Sequence, residues 1–503
     1  MTSDITPNEI EANQELSAEE TNHLMGVRLK KLADLQKDGI NPFGGHYDRT
    51  HYSQDIIKNI EKLEESEVAI AGRIMLVRGH GKATFLSLQD DAGRIQVYVK
   101  LDVVGEEQYA LLDKLDIGDF LGVKGQVFIT HRGEISVRAN QMLLLSKSLR
   151  PLPEKWHGLK DIETRYRQRY VDLIVNPQVK DTFVTRSKTI SGIRRYLDNL
   201  GFLEVETPTM QPIPGGAAAR PFITHHNAQD IDMYMRIALE LYLKRLIVGG
   251  MERVYELGRV FRNEGMSIKH NPEFTMLEIY QSYADYNDMI KLTEEMLATV
   301  AQEVLGSMQF TYQDALLDFM PPWQCMTMIE AVRKYAEVDF DQIKDDAEAQ
   351  KAAAAAGITI EKNASKGQIL NCFFEEKVEA NLIQPTIITD YPIEISPLAK
   401  KLPNNPNFTA RFEAFVYGRE LANAFSELND PLDQRERFQA QVDKRAAGDD
   451  EAHMMDEDFL RALEYGMPPT GGLGIGIDRL VMFFTNSASI RDVILFPTMK
   501  QKE

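Results

Sequence analysis

Apolar and polar residues alternate along five short runs between about residues 66 and 148. Alternation with a period of two indicates strands that have one buried face. Turn residues such as Asp91-Ala-Gly93 and His131-Arg-Gly133 separate the runs, and a helical stretch stands between the third and the fourth. The pattern predicts a five-stranded barrel; its runs are VAIAGRIMLVR, ATFLSLQDD, GRIQVYVK, DFLGVKGQVFIT and EISVRANQMLLL.

A barrel of this pattern is typical of the OB-fold, which binds single-stranded nucleic acid by stacking bases on aromatic rings beside basic groups. Phe85 on the second run fits that use, with Arg78 close to it and Gln96 on the next run. The alternative is that Phe85 belongs to the core of the barrel, and the alternation leaves both interpretations open.

The rest of the chain divides around this barrel. Residues 1 to about 15 are polar, which predicts a disordered tail, and a capping box at Ser17 to Glu20 predicts an amphipathic helix within the first 65 residues. Residues 149–174 combine two prolines with an Arg-rich helix and are interpreted as a linker. The large domain then covers 175–503, with a helical insertion at about 285–380, so the fold class is α+β.

The most informative stretch of the large domain is a hairpin from Arg253 to Tyr283. Apolar and aromatic residues populate both arms, and the loop from Asn263 to Pro272 carries more charge than a turn needs. Side chains alternate faces along a strand, so Phe274, Glu278 and Tyr280 share one face of the second arm. The set favours a nucleotide site over an exposed sheet face with solvated charges.

Net charge and targeting signals narrow the class of protein. The formal charge of −19 argues against a protein that coats nucleic acid by bulk attraction, so RNA contacts need local cations such as Arg28, Lys30 and Lys31. Two cysteines are too few for a disulfide framework or a zinc site. The acidic N-terminus is unlike a signal peptide and no apolar run could span a membrane, which predicts a cytoplasmic protein.

Two further patterns occur near the end of the chain. Glycines at 472, 474 and 476 leave one face of a strand without side chains, and Arg479 follows where a helix begins, a position that suits phosphate. A second hairpin turns near Gly418, and alternation places Asn423, Phe425 and Glu427 on one face. Neither a dinucleotide-binding fingerprint nor a Walker loop occurs.

Three of these stretches resemble the signature motifs of class II aminoacyl-tRNA synthetases, in the form carried by lysyl-tRNA synthetases. The helix and strand around Gly201 to Pro208 resemble motif 1, and Phe261-Arg-Asn-Glu264 with Glu278-Ile-Tyr280 resembles motif 2. The glycine strand with Asp478-Arg479 is similar to motif 3. The resemblance implies an antiparallel-sheet catalytic domain behind an anticodon-binding OB-fold, and a homodimer formed through motif 1.

The resemblance also implies the reaction and the ATP site. Lysine is activated with ATP to lysyl-adenylate, pyrophosphate is released, and lysine is transferred to the 3′-hydroxyl of tRNA(Lys). Arg262 and Arg479 are the catalytic cations, and Arg78, Phe85 and Gln96 meet the anticodon. The expected ATP-binding residues are Arg262, Glu264, His270, Asn271, Phe274, Glu420 and Arg479, with Mg²⁺ on Glu413 and Glu420.

Strand parity does not support this metal site, because a regular strand puts Glu420 on the face opposite Glu427 unless a bulge intervenes.

For the amino acid, three glutamates in one cleft call for a cation, which lysine provides. The lysine-binding residues implied by the family are Gly216, Glu240, Glu278, Tyr280, Asn423, Phe425 and Glu427.

Three alternatives remain at this point. An aspartyl or asparaginyl synthetase should present Arg or Lys in the amino-acid pocket, and none is evident at these positions. A paralogue that lysylates a protein should lack the N-terminal barrel. A non-catalytic tRNA-binding relative should have lost Arg262 or Arg479, and both are present.

Overall fold

The computed structural model describes residues 18–153, 159 and 161–501. The described chain forms two compact units, one from residues up to Arg165 together with Tyr170–Asn176, the other from Tyr166–Arg169 and from Pro177 onward. The predicted disordered tail and the capping box at Ser17 lie outside the described residues. No helix in the described part of the chain is long and apolar enough to cross a membrane.

The first unit contains the predicted five-stranded closed barrel, with the strand order β1-β2-β3-β5-β4. Its core is made of the alternate inward residues of each strand, such as Leu86, Val97 and Val137. The OB-type barrel is therefore confirmed; its strands are β1 (Glu67–His80), β2 (Ala83–Gln89), β3 (Arg94–Lys100), β4 (Phe120–Ile129) and β5 (Ile135–Ser146).

Helices accompany the barrel before and after its strands. The helix between the third and fourth strands is present and runs on into a 3₁₀ turn at Leu111–Lys114. The described part of the linker region contains two helices, which begin at Ile162 and Arg169. The helices are α1 (Ala18–Lys37), α2 (Ser53–Lys58), α3 (Ile60–Leu63), α4 (Leu101–Ala110), α5 (Ile162–Arg167) and α6 (Arg169–Val175).

Two cations of α1 that were candidates for RNA contacts have a structural use instead. Arg28 is buried and donates hydrogen bonds to the carbonyl oxygens of Ile117 (2.9 Å) and Ser148 (3.1 Å). Lys31 pairs with Asp116 at 2.8 Å. The expectation that this cluster is free for nucleic acid is therefore wrong for Arg28 and Lys31.

The second unit is built on a large sheet with the strand order β14-β15-β17-β18-β19-β11-β10-β6 and with β16 beside β17. The pairs β14·β15 and β10·β6 at its two edges are parallel, and the pairs between them are antiparallel. Its strands are β6 (Leu203–Glu204), β10 (Arg253–Phe261), β11 (Glu273–Ser282), β14 (Gln324–Thr327), β15 (Thr386–Pro392), β16 (Lys401–Leu402), β17 (Asn405–Val416), β18 (Arg419–Ser426) and β19 (Thr470–Gly476).

Smaller sheets and further α-helices belong to the described part of this unit. Strands β7 (Met210–Gln211), β8 (Ile223–His226) and β9 (Ile231–Met235) form one sheet, and β12 (Gln309–Tyr312) with β13 (Ala315–Asp318) forms another. The helices are α7 (Gln178–Asn199), α8 (Glu240–Val248), α9 (Tyr286–Leu305), α10 (Met328–Ala336), α11 (Asp346–Ala356), α12 (Lys366–Phe373), α13 (Pro431–Ala446), α14 (Glu457–Glu464) and α15 (Ile477–Phe484).

The main core lies between one face of the large sheet and three helices. Ile193 of α7, Met296 of α9 and Val481 of α15 pack in one cluster with Ile279 and Ile475 of the sheet. Since this face is covered, the alternate residues of the same strands point to the opposite face, where the candidate site lies.

The stretch at 285–380 holds helices α9 to α12, but also β12 to β14. Strand β14 pairs with β15 at the edge of the large sheet. Helix α11 contains the alanine run and begins at the side-chain cap Asp345. Its separation as a helical insertion stays a prediction.

Candidate active site

A cavity of about 440 Å³ opens on the uncovered face of the large sheet. The sequence-predicted ATP, lysine and metal residues all line it, although they come from five separate parts of the chain. These residues are Gly216, Glu240, Arg262, Glu264, His270, Asn271, Phe274, Glu278, Tyr280, Glu413, Glu420, Asn423, Phe425, Glu427 and Arg479.

The floor of the cavity is the glycine face of β19. Gly474 pairs with Glu278 of β11 on one side and with Asn423 of β18 on the other. Gly472 lies in the same way between Tyr280 and Phe425. Directly paired residues project to the same face, so the absent side chains of β19 leave a slot between two rows of functional side chains.

Gly472 is required by the position of Glu427. A Cβ atom built at Gly472 would lie 1.8 Å from Oε1 of Glu427 and 2.7 Å from a ring carbon of Tyr280. At Gly474 the nearest atoms would be 3.7 and 3.9 Å away. The first glycine therefore makes room for protein atoms, whereas the space above the second belongs to the cavity.

Glu278 is buried at one end of the slot and its position is well defined. One oxygen accepts a hydrogen bond from the backbone N–H of Leu239 (2.8 Å), and the other accepts one from the Tyr280 hydroxyl (3.0 Å). Burial, with a further contribution from the nearby Glu240 carboxylate, raises the pKa of Glu278 to about 7. A cation bound beside Glu278 would therefore favour the ionised form of its carboxyl group.

Glu240 and Glu427 lie at the same end, and a lysine missed by the sequence analysis joins them. The ammonium of Lys244, one helical turn after Glu240 on α8, contacts Oε1 of Glu240 and Oε2 of Glu427. The expectation that no Lys or Arg accompanies these carboxylates is therefore wrong. Helical spacing could have found Lys244, because residues i and i+4 share a helix face.

Gly216 brings its loop close to the first of these carboxylates. Its φ is +90°, a conformation that favours glycine, and a Cβ there would lie 3.0 Å from the Cβ of Glu240. The small-residue loop from Pro214 to Arg220 is thereby packed against the start of α8.

Two arginines face the slot from opposite sides. The guanidinium of Arg262 lies 5.2 Å from the centre of the Phe274 ring, and its Nε donates to the carbonyl oxygen of Ile237 (3.3 Å). Nη1 of Arg479 donates to the carboxylate of Glu420 at 3.2 Å. Both cations line the cavity, where phosphate groups could pair with them.

The aspartate that precedes Arg479 ties three elements together. Asp478 accepts hydrogen bonds from the backbone N–H of Thr275 on β11 (2.6 Å) and from Arg186 on α7 (2.6 Å). Arg186 also donates to the Thr275 hydroxyl at 2.9 Å. Asp478 is buried, so this network fixes the start of α15 and with it the position of Arg479.

The expected metal ligands Glu413 and Glu420 reach one face through a bulge. Ala414 pairs with Ala422 but Phe415 pairs with Glu420, which leaves Leu421 as the extra residue. The bulge that parity demanded is therefore present. Arg411, two residues before Glu413 on the same strand face, also lines the cavity and was missed, although the same alternation could have found it.

Both carboxylates already have protein partners. Glu413 accepts hydrogen bonds from the Tyr391 hydroxyl (3.0 Å) and from Arg411 (2.5 Å). Burial raises its pKa, and the Glu420 carboxylate adds to the rise. No cluster of three or more His, Cys, Asp or Glu side chains among the described residues is arranged to hold a metal. A pair of carboxylates fits Mg²⁺, which often takes only one or two carboxylates from the protein.

The loop between β10 and β11 contributes His270 and Asn271. Partial burial and the nearby Arg479 cation lower the pKa of His270, which favours the neutral imidazole. Asn271 is buried; its amide donates to the carbonyl oxygen of Glu273 (2.7 Å) and accepts from the N–H of Thr498 (3.2 Å). Asn271 thus holds the loop in place at the cavity wall.

In the first unit, Phe85 lies on the outer face of the barrel. It is half-buried, whereas its neighbours Thr84 and Leu86 point inward. It pairs directly with the exposed Arg78, and its ring centre lies 4.9 Å from that of Tyr98. Tyr98 was missed, although it stands two residues after Gln96 on the same strand face.

Gln96 belongs to the same outer face of the barrel and is held in place. Its amide donates to the Ser136 hydroxyl at 2.9 Å. The aromatic row continues from Tyr98 to Phe128, 6.0 Å between ring centres, and the guanidinium of Arg138 lies over the Phe128 ring. Rings interleaved with arginines form a surface on which bases can stack.

Comparisons with known proteins agree with this geometry. The family described as "tRNA synthetases class II (D, K and N)" matches residues 161–500, and the family described as "OB-fold nucleic acid binding domain" matches residues 68–145. The fold and the cavity therefore define a class II tRNA synthetase.

Full-length relatives narrow the class to one group. The lysine–tRNA ligase of Moorella thermoacetica is 64% identical over 97% of this chain and 100% of its own length. That of Bacillus subtilis is 58% identical over 98% of this chain and 100% of its own length. The chain belongs to the lysine–tRNA ligase family.

The contact between Gly472 and Glu427 predicts the effect of a methyl group on the floor of the cavity. We expect Gly472→Ala to lower the free energy of unfolding by about 1–3 kcal/mol, because Glu427 and Tyr280 must move. Gly474→Ala is the matched control, since its Cβ meets no protein atom closer than 3.7 Å and neither glycine has a positive φ. Thermal melts without ligand compare the two, and equal stabilities would contradict the assigned packing.

Proposed function

We propose that the cavity binds L-lysine and ATP side by side along the glycine slot and joins them to lysyl-adenylate. The observation that carries this proposal is the group of three buried glutamates, Glu240, Glu278 and Glu427, at one end of a slot whose other end holds Arg262 and Arg479. Acidic and basic ends match a ligand pair with cationic groups at one end and phosphates at the other.

At the basic end, positioning and charge neutralisation do most of the catalysis. The lysine carboxylate attacks the α-phosphorus of ATP, the bond to the β-phosphate breaks, and pyrophosphate leaves. Arg262 bridges the carboxylate and the α-phosphate, while Arg479 and His270 hold the terminal phosphates. No side chain acts as a nucleophile. The 3′-hydroxyl of tRNA then attacks the carbonyl carbon of the adenylate, and AMP leaves.

The adenine lies between Phe274 and Arg479, and Glu264 helps to fix the base. Asn271 acts by holding the loop that carries Glu264. Mg²⁺ would be held by Glu413 and Glu420 together with the phosphates, and when bound it supplies positive charge that offsets theirs. The guanidinium groups of Arg411 and Arg479 pair with Glu413 and Glu420 respectively and orient these carboxylates.

At the acidic end, Glu240 with Gly216 takes the α-ammonium group of lysine. Glu278, Tyr280 and Glu427 take the ε-ammonium group. Oε2 of Glu427 contacts the Lys244 ammonium, whereas Oε1 has no hydrogen-bond partner among the described residues, so this buried carboxylate has unused acceptor capacity.

Along the slot, Phe425 packs on the alkyl stem of lysine. Asn423, whose amide oxygen accepts a hydrogen bond from Arg411 (3.0 Å), borders the same space. The stem thus lies between an aromatic ring and the backbone of the glycine strand, which suits an unbranched chain.

The partner is tRNA(Lys), whose anticodon meets the outer face of the barrel at Arg78, Phe85 and Gln96. A second copy of the chain pairs through the element that resembles motif 1. Leu203 on the edge strand β6 and Met210 on β7 expose apolar side chains in this region, which suits an interface. The cytoplasmic location stays a prediction.

The aspartyl or asparaginyl alternative is not favoured. Lys244 does lie among the acidic residues, but it has no exposed surface, so an anionic side chain in the cavity would meet carboxylates. The curated relatives that match the full chain support lysine.

Amino-acid-dependent ATP–pyrophosphate exchange tests the activation chemistry. We expect exchange with lysine, and none above background with aspartate, asparagine or arginine. Glu278→Gln should lower kcat/KM for lysine by about 100-fold, because truncating one partner of a buried charge pair costs roughly 2–5 kcal/mol. Glu273→Gln is the matched control, since it neutralises a glutamate on the same strand that does not line the cavity.

Absence of exchange with all four amino acids, in folded protein supplied with Mg²⁺, would contradict the proposed reaction. Unchanged kinetics in the Glu278→Gln variant would leave the reaction standing but remove Glu278 from the lysine site.

The anticodon surface predicts a separate effect. Phe85→Ala should raise KM for tRNA(Lys) about tenfold, because stacking on an aromatic ring is worth roughly 1–3 kcal/mol per base. Lysine-dependent pyrophosphate exchange should be unchanged. Phe120→Ala removes another half-exposed ring of the barrel, one paired with Arg73 and away from Phe85, and serves as the control. Equal effects of the two substitutions on aminoacylation would contradict the assignment.

A further inference from the structure

Lys244 is a buried cation at the amino-acid end of the cavity that the proposed reaction does not use. Its ammonium contacts Glu240, which begins the same helix, and Glu427, which follows β18. The side chain has no exposed surface. A lysine is almost never buried to this extent unless it is paired, so the two carboxylates account for its position.

The ammonium lies behind the carboxylates and not inside the cavity. Glu240 and Glu427 line the cavity, whereas Lys244 does not. Its Nζ atom is 5.4 Å from the centre of the Phe425 ring and 6.0 Å from that of Phe459, so aromatic rings cover it. A ligand can therefore contact the carboxylates from one side while Lys244 holds them from the other.

The charges of the site match those of the ligand. When all three carboxylates, Glu240, Glu278 and Glu427, are ionised, the one ammonium of Lys244 leaves two negative charges unbalanced. Lysine brings two ammonium groups to this end of the slot, and its carboxylate belongs with Arg262. Without Lys244, three negative charges would face two positive ones in a buried space.

We propose that Lys244 is a positioning residue that acts as a built-in counterion, fixing Glu240 and Glu427 and setting the charge of the site to suit a ligand with two ammonium groups. The proposal rests on the proposed lysine-activating function and explains how a cluster of three buried carboxylates stays ionised enough to bind it. It assigns part of the specificity to a residue that the substrate does not touch.

The groups around Lys244 support a permanent charge on it. Burial alone would lower the pKa of Lys244, but the two carboxylates outweigh burial and its pKa is raised. Burial and then the Lys244 ammonium lower the pKa of His453 to about 4, so that this imidazole is neutral near pH 7. His453 therefore does not compete with Lys244 for its proton near pH 7.

At the two carboxylates, burial and the Lys244 ammonium act on the pKa in opposite directions. Burial raises the pKa of Glu240 and of Glu427, and the Lys244 ammonium opposes the rise at both. Glu278 faces the same space, and Tyr280 donates a hydrogen bond to it. Arg411 and Arg262 are the other nearby cations and act on Glu240 and Glu278 respectively.

Removing the Lys244 charge should therefore raise the pH at which the site becomes competent. With one cation fewer, the carboxylates hold a proton to higher pH, and lysine must displace it to bind. Each unit by which the midpoint rises lowers the ionised fraction about tenfold at a pH below the midpoint. The effect is a shift of a pH profile, which a purely structural role does not produce.

The test measures KM for lysine in pyrophosphate exchange, with saturating ATP, between about pH 6 and 8.5. In Lys244→Met, whose unbranched side chain is one atom shorter and carries no charge, we expect the midpoint to rise by about one unit and KM at pH 7 to rise about tenfold. Arg245→Met is the matched control, because it removes the next cation of α8, which pairs with Asp456 and Asp458 instead. Its midpoint should equal that of the wild type.

A second variant separates charge from packing. Lys244→Met combined with Glu427→Gln removes one charge of each sign, so its midpoint should return towards the wild-type value even though kcat/KM stays low. If Lys244→Met does not fold, this balanced variant should still fold, because it leaves one buried carboxylate fewer without the Lys244 counterion. A midpoint unchanged in the single variant, or equally shifted in both, overturns the proposal, as does a failure of the balanced variant to fold.

The wild-type protein distinguishes this result from a failure of the proposed function. Absence of lysine-dependent exchange in the wild type would contradict the activation reaction itself. Exchange in the wild type together with a wild-type profile in Lys244→Met would contradict only the role of Lys244.

Discussion

Like charges buried close together repel, and the amino-acid end of this cavity holds three carboxylates in that situation. Each of them lies almost out of contact with water, where repulsion is screened far less than at a surface. The Lys244 ammonium offsets part of the negative charge, and the negative charge that remains favours binding of cationic groups from a ligand. We propose that selectivity for an amino acid with two ammonium groups follows from that imbalance, which the surrounding structure maintains.

The sheet maintains this arrangement by keeping the middle of the cavity free of side chains. Strand β19 presents glycines between two strands that carry Glu278, Tyr280, Asn423 and Phe425. The same strand presents Leu473 and Ile475 to the core on its other face. A single strand thereby has an apolar face that packs in the core and a bare face that lines the cavity, because successive residues alternate.

Strand alternation also explains how much of the site could be predicted from sequence. Period two correctly predicts that Phe274, Glu278 and Tyr280 share one strand face, and that Asn423, Phe425 and Glu427 share another. Alternation alone places Glu420 on the wrong strand face, because Leu421 forms a bulge that can be recognised only when the partner strand is known. The barrel was likewise predictable from alternation in five runs.

The wrong expectations about cations have a common physical cause. Arg28 and Lys31 read as surface cations, yet hydrogen bonds and an ion pair within the first unit occupy them. Lys244 escaped notice because its partner Glu427 is far along the chain, although Glu240 stands only one turn away. Pairing of a charge with distant residues depends on tertiary structure, which local patterns of hydrophobicity do not contain.

The most direct test of the account is the number of protons exchanged when lysine binds, measured by titration calorimetry at pH 6.5 in buffers of different ionisation enthalpy. The pKa of Glu278 is raised from 4.5 to about 7 in the free protein, so the folded chain keeps a proton there that the unfolded chain loses. The stability of the free protein should therefore fall as pH rises through that window.

Since lysine requires the ionised carboxylate, binding at pH 6.5 should release protons, and the Glu278→Gln variant should release fewer. A binding enthalpy that does not depend on the buffer, or an uptake of protons, would contradict the claim that buried, partly protonated carboxylates select the substrate.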